Sequence, residues 1–161
     1  MTEKEGTIMD IEAFRKTVAI FFGDLQSIPE EITSAKLAPG VWSLKEIIGH
    51  LVDSAANNHQ RFIRLQSDVP LNFPGYNQEQ WNNMQRYNEF GWYDLVQLWS
   101  SYNKLLLHII PTIEKKHLQN YWLHDDKKLT LEWIINDYYR HLKHHYDQFK
   151  QRSDEILKLQ V

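Results

Sequence analysis

Apolar side chains recur along this chain at three- and four-residue steps, the spacing that lines one face of an α-helix. Ile11, Phe14, Val18, Phe21, Leu25 and Ile28 mark a first helix, closed by Pro29. A loop through Pro39 and Gly40 precedes a second, whose stripe is Leu44, Ile47, Ile48, Leu51, Ala55 and Phe62. Ser43 opens it, with Glu46 three residues on, the spacing of a capping box. A third pattern, from Tyr93 to Ile110, carries Leu95, Leu98, Trp99, Tyr102, Leu106 and Ile109, and Pro111 ends it. The fourth starts with Thr130 as N-cap and runs past Gln148. No segment shows sustained strand alternation. The pattern therefore predicts an all-α fold, a four-helix bundle formed by one domain over residues 1–161.

The connections are uneven. Between the second and third helices lies a stretch from Ser67 to Trp92, about 25 residues and too long for a plain turn. It holds Phe73, Pro74, Gly75, Tyr76, Trp81, Met84, Tyr87 and Phe90, and Gln78 to Glu89 reads as a short helix within it. Such a crossover lets the helices on either side of it run parallel and cover one end of the bundle.

Chemistry concentrates in the run His141-Leu142-Lys143-His144-His145 of the last helix. Residues four apart share a face, so His141 and His145 point the same way, about one turn apart. Ile134, Tyr138 and Phe149 lie within roughly 60° of them on a helical wheel, which turns the pair inward and His144 outward. Two imidazoles at this spacing suit one metal ion, or else pack as hydrogen-bonded core histidines against Tyr138 and Gln148. Leu142 stands where a zincin motif has its glutamate, so a metalloprotease of that kind is disfavoured. A third ligand must come from elsewhere. His50 lies about 120° from the centre of its helix's apolar stripe, on an edge with Ser54, Asn57 and Arg61. His59 lies nearer the apolar side. Spacing leaves both open.

Composition narrows the classes. The net charge of −3 gives no footprint for nucleic acid, and no polybasic run suggests a lipid surface. No window approaches a membrane span, and residues 1–6 lack a signal-peptide core, so a cytoplasmic protein is expected. The absence of cysteine excludes a disulfide, a thiol nucleophile and a cysteine-based zinc site. Six tryptophans and 13% aromatic residues point to an aromatic-lined cavity or to a densely packed core.

The segment from Trp42 to Ser54, W-S-L-K-E-I-I-G-H-L-V-D-S, resembles the first motif of the DinB-like superfamily of metal-binding four-helix proteins. H-L-K-H-H from His141 to His145, followed by Gln148, resembles its second. Between them P-G-Y-N-Q-E-Q-W, Pro74 to Trp81, is similar to the crossover of the bacillithiol-transferase and metal-dependent hydrolase branch. The likeness covers Pro39 to Phe149. It implies an up-down-down-up bundle, commonly a homodimer, with zinc or nickel held by His50, His141 and His145. The activity implied is a metal-dependent thiol S-transferase, acting on a small-molecule thiol and an electrophile, or a hydrolase; the alternative is a non-catalytic, dimeric metal-binding stress-response bundle. Asp137, four residues before His141, is a candidate to orient that ligand. Asn57 and Arg61, at helical steps from His50, are candidates for substrate binding, Arg61 as a clamp for a carboxylate-bearing thiol. Gln148 is a further one.

Overall fold

The computed structural model describes residues 10–67 and 70–160; the polar start of the chain, residues 1–6, lies outside them. The four long apolar patterns form α1 (Ile11–Ser27), α2 (Leu44–Arg64), α4 (Trp92–Ile109) and α5 (Leu131–Lys158), with α3 (Gln78–Gln85) between the middle two. Local chemistry sets the starts. The Asp10 carboxylate accepts from the backbone N–H groups of Glu12 and Ala13, and Thr130 Oγ1 from that of Trp133. Ser43 and Glu46 form the reciprocal capping box. Past Ile109, the segment Ile110–Thr112, with Pro111 in it, tightens into a 3₁₀ turn.

Side-chain contacts fix the directions. Phe14 meets Tyr138 and Tyr139 while Phe21 meets Tyr146 and Phe149, so α1 and α5 run parallel. Along α2, His50 faces His141 and the Arg61 guanidinium lies over Trp122, just ahead of α5, so these two helices are antiparallel. Tyr138 donates to Asn103 and Trp92 lies over Phe149, which makes α4 antiparallel to α5 and parallel to α2. The bundle is therefore up-down-down-up. Trp99, Phe14, Phe21, Phe62 and Phe149 fill its centre. Leu98, counted into the α4 stripe from sequence, is 43% exposed, whereas Val96 and Asn103 are buried.

Two features depart from the sequence reading. Tyr121–His124 (β1) and Lys127–Thr130 (β2) form an antiparallel hairpin, so the architecture is not purely helical. Its two-residue loop, Asp125-Asp126, has φ of 47° and 60°, the twist a tight hairpin needs. Four-residue strands are too short to show alternation. The crossover, besides spanning an end, returns along the outer face of α2. Leu71 hydrogen-bonds beside Trp122, Asn82 Nδ2 donates to the Glu46 carbonyl, and Tyr87 packs on Gly49. Arg86, left-handed at φ 54°, divides α3 from the 3₁₀ turn Tyr87–Glu89, where the sequence suggests one continuous helix. With this cover α2 is enclosed all round from Leu44 to Ala55, and Lys45, Glu46, His50, Asp53, Asn57 and Arg61 are all buried.

Candidate metal centre

His50 projects from the second turn of α2, and His141 and His145 from the middle of α5, where the antiparallel helices pass. Their Nε2 atoms converge: His141 Nε2 lies 3.1 Å from that of His50 and 3.0 Å from that of His145. The rings stand edge-on to one another, with interplanar angles of 69°, 70° and 72°. His50 is 1% and His145 8% exposed, and the Trp42 ring closes one side, its centroid 5.0 Å from that of His50.

Burial and the neighbouring imidazoles hold all three rings neutral. His50 is pushed down to about 3 and His141 to about 4, by desolvation first and then by the other histidines. His145 is also lowered by burial, against an opposing hydrogen bond to Gln148. Neutral rings cannot satisfy one another here. The Gln148 Oε1 oxygen lies 2.7 Å from His145 Nδ1 and can only accept, so Nδ1 carries the proton and Nε2 presents a lone pair. His141 Nε2 would then have to carry the proton donated to His145, and a nitrogen that carries a proton has no lone pair to accept from His50. His50 Nε2 could then only accept, which puts the His50 proton on Nδ1, a buried atom without a partner. A cation at the point of convergence uses all three lone pairs. Nitrogens about 2.1 Å from a common zinc stand roughly 3.0–3.4 Å apart, so the observed spacing fits a divalent ion of this size.

The surrounding polar groups follow the sequence only in part. Gln148 is the outer partner of His145. Asp137 does not take that place for His141: its carboxylate pairs with Arg140, and Ser54 Oγ lies 3.5 Å from His141 Nδ1. His59, the rival to His50, is drawn to α4, with Nδ1 3.1 Å from the Tyr102 hydroxyl. Its place on the apolar side of α2 is what turns it away from α5. His144 is exposed.

A cavity of about 360 Å³ opens beside the histidines. His50, Ser54 and His141 line one end, and Arg61, Trp122 and His124 another part of the wall. Asn57 is not in that wall: its side-chain amide donates to the Asp53 carbonyl, and its neighbour Asn58 lines the cavity. Tyr76, from the crossover, faces the same space, its hydroxyl pushed up to about 12 by burial. Trp122 and His124 escape the sequence reading because they sit on the unrecognised hairpin; the Asp-Asp pair was the signal available for it. A second cavity of about 300 Å³, lined by Trp42, His145, Gln148 and Arg152, approaches from the other side. The tryptophans therefore divide: Trp92 and Trp99 are core, Trp42, Trp122 and Trp133 line cavities, and Trp81 is 37% exposed.

An up-down-down-up bundle with three converging imidazoles on two facing helices has the build of a metal-binding helical protein. Residues 13–149 match the DinB superfamily, and the chain belongs to it. A protein of Oceanobacillus iheyensis, named provisionally as a metal-dependent hydrolase, is 28% identical over 79 residues, 47% of this chain. The chain spans about half of that relative, 46% of its length. The solved structure of YfiT from Bacillus subtilis, described as a probable metal-dependent hydrolase with an unusual four-helix bundle topology, superimposes with a TM-score of 0.80. At 15% identity, over 97% of this chain and 93% of that one, the likeness is one of fold. Among the described residues no helix is long and apolar enough to cross a membrane.

Proposed function

We propose that His50, His141 and His145 hold one divalent cation, zinc or nickel, and that the chain is a metal-dependent enzyme acting on a small molecule. The observation that carries this reading is the meeting of two buried imidazoles and a half-buried third, all neutral, whose facing nitrogens cannot satisfy one another. Three nitrogen ligands leave coordination positions free. A divalent ion so held supplies Lewis acidity, which makes a water or a thiol nucleophilic near neutral pH.

The chain's own residues do the rest. Gln148 fixes the tautomer of His145 by accepting a hydrogen bond from its Nδ1–H, which keeps Nε2 available to the cation. The Trp42 ring covers His50 and forms part of the wall of the second cavity. Two cavities reach the histidines from different directions, which suits a reaction that joins two substrates. That supports a thiol S-transferase resembling the bacillithiol transferases, with a thiol on one side and an electrophile on the other. The naming of relatives supports the hydrolase reading, in which water takes the place of the thiol. A homodimer, and residence in the cytoplasm, stay part of the proposal on the family resemblance.

The test begins with elemental analysis of protein purified without a nickel column. One equivalent of a divalent metal is expected, lost in His141→Ala and in His145→Ala and kept in His144→Ala. Metal retained by both inward variants would overturn the ligand assignment. Turnover of the loaded protein with a thiol and an electrophile, against turnover of ester and amide panels, separates the two reactions.

A further inference from the structure

The cavity beside the histidines is lined by a cation that forms no ion pair among the described residues. Arg61 is 8% exposed, and its guanidinium lies 4.1 Å from the centre of the Trp122 ring. Nη1 donates to Asn58 Oδ1 at 3.3 Å, and Nε is buried without a partner. Among the described residues no carboxylate lies within ion-pair distance of it. Asp137 faces the same cavity, but its charge is already paired with Arg140. An aromatic face and a neutral amide do not balance a buried charge, and an unpaired buried cation carries a heavy desolvation penalty. Nearby arginines contrast with it: Arg64 and Arg86 reach polar partners at the surface.

We propose that Arg61 is the anchoring group for a carboxylate of the substrate, so that the cavity selects elongated organic anions whose reacting end lies at the histidines. The proposal deepens the functional reading above and rests on it for the reacting end. Helical geometry sets the length. Arg61 leans back one turn to Asn58, eight residues beyond His50, which puts the guanidinium roughly 12 Å along α2 from the level of His50. Trp122, Tyr76 and Tyr138 line the space around this path, so the connecting part of the ligand is apolar or aromatic. A guanidinium stacked on an aromatic ring keeps its in-plane N–H groups for a planar oxyanion, a geometry that lysine does not reproduce.

The test is binding rather than turnover. Metal-free protein is titrated with hexanoate and with hexanamide, which share size and shape and differ in charge, and tryptophan fluorescence is followed. Hexanoate is expected to bind at least tenfold more tightly in the wild type. Arg61→Met, which keeps the apolar stem, is expected to abolish that preference, and Arg61→Lys to keep part of it. Equal affinity for the two probes in the wild type, or a preference that survives in Arg61→Met, would overturn the proposal. The wild-type comparison decides even where a variant fails to fold. Carboxylate selectivity in a protein that binds no metal would refute the functional reading and leave the anion site standing.

Discussion

Each of the converging histidines has a different outer environment, and that difference is testable. His145 Nδ1 has an acceptor at 2.7 Å in Gln148, whereas Ser54 Oγ stands off from His141 at 3.5 Å. Losing the partner that orients a ligand typically weakens metal binding by about 10–100-fold. Gln148→Leu is therefore expected to weaken zinc binding within that range in a chelator competition. Asp137→Asn is expected to leave it near the wild-type value, because Asp137 serves Arg140 instead. A larger loss in Asp137→Asn than in Gln148→Leu would reverse these roles.

At the scale of elements, the crossover decides what α2 is. Gly49 is where it lands: a Cβ there would sit 2.1 Å from Tyr87 Cδ2, so the ring must move. The close approach that a helical glycine permits is made here by an aromatic side chain. The Tyr87 hydroxyl in turn donates to Asp53 Oδ1 at 2.6 Å, alongside Gln85 Nε2 at 2.7 Å. Overpacking of this kind costs about 1–3 kcal/mol. Gly49→Ala is expected to lower stability by that amount in urea unfolding. Gly23, exposed in α1 with nothing within 4 Å of its Cβ position, is the control. Gly23→Ala is expected to raise stability by up to about 1 kcal/mol. Equal effects at the two glycines would mean that the crossover packs loosely on α2.

For the whole molecule, the histidines tie two antiparallel helices at one level, so a bound cation should be felt as global stability. Free metal at 100 times its dissociation constant adds about 2.7 kcal/mol. Adding zinc to the metal-free protein is expected to raise Tm, and His50→Ala to remove most of that rise. Acid acts in the opposite sense. His50 and His141, held at about 3 and 4, stay neutral in the folded protein at pH values where the unfolded chain, near 6.5, already takes up protons. Protons then favour unfolding. Stability of the metal-free protein is expected to be fully present above pH 6.5 and to fall as the pH drops through 6 toward 4. A flat profile over that window would mean that the imidazoles are not buried together.

The periodic stripes made the helices legible: three- and four-residue spacing is a local property, and Ser43, Glu46, Thr130 and Pro111 act within a turn of their own positions. The inward aim of His141 and His145 was legible for the same reason. His50 was legible only through its motif and not from its place on the helix, and the burial of Asn57 and Arg61 was not legible at all, because a wheel drawn for one helix assumes one buried face. The crossover gives α2 a second. The hairpin, with Trp122 and His124, was hidden by the shortness of its strands. By itself, then, the sequence determined the four helices, their caps and the inward histidine pair, all set by interactions within a turn or two of chain. Only the tertiary structure decided that His59 turns to Tyr102 while His50 meets that pair, that Ser54 rather than Asp137 stands beside His141, and that Arg61 is enclosed. Those outcomes depend on which surfaces, distant in sequence, are packed together and closed to water.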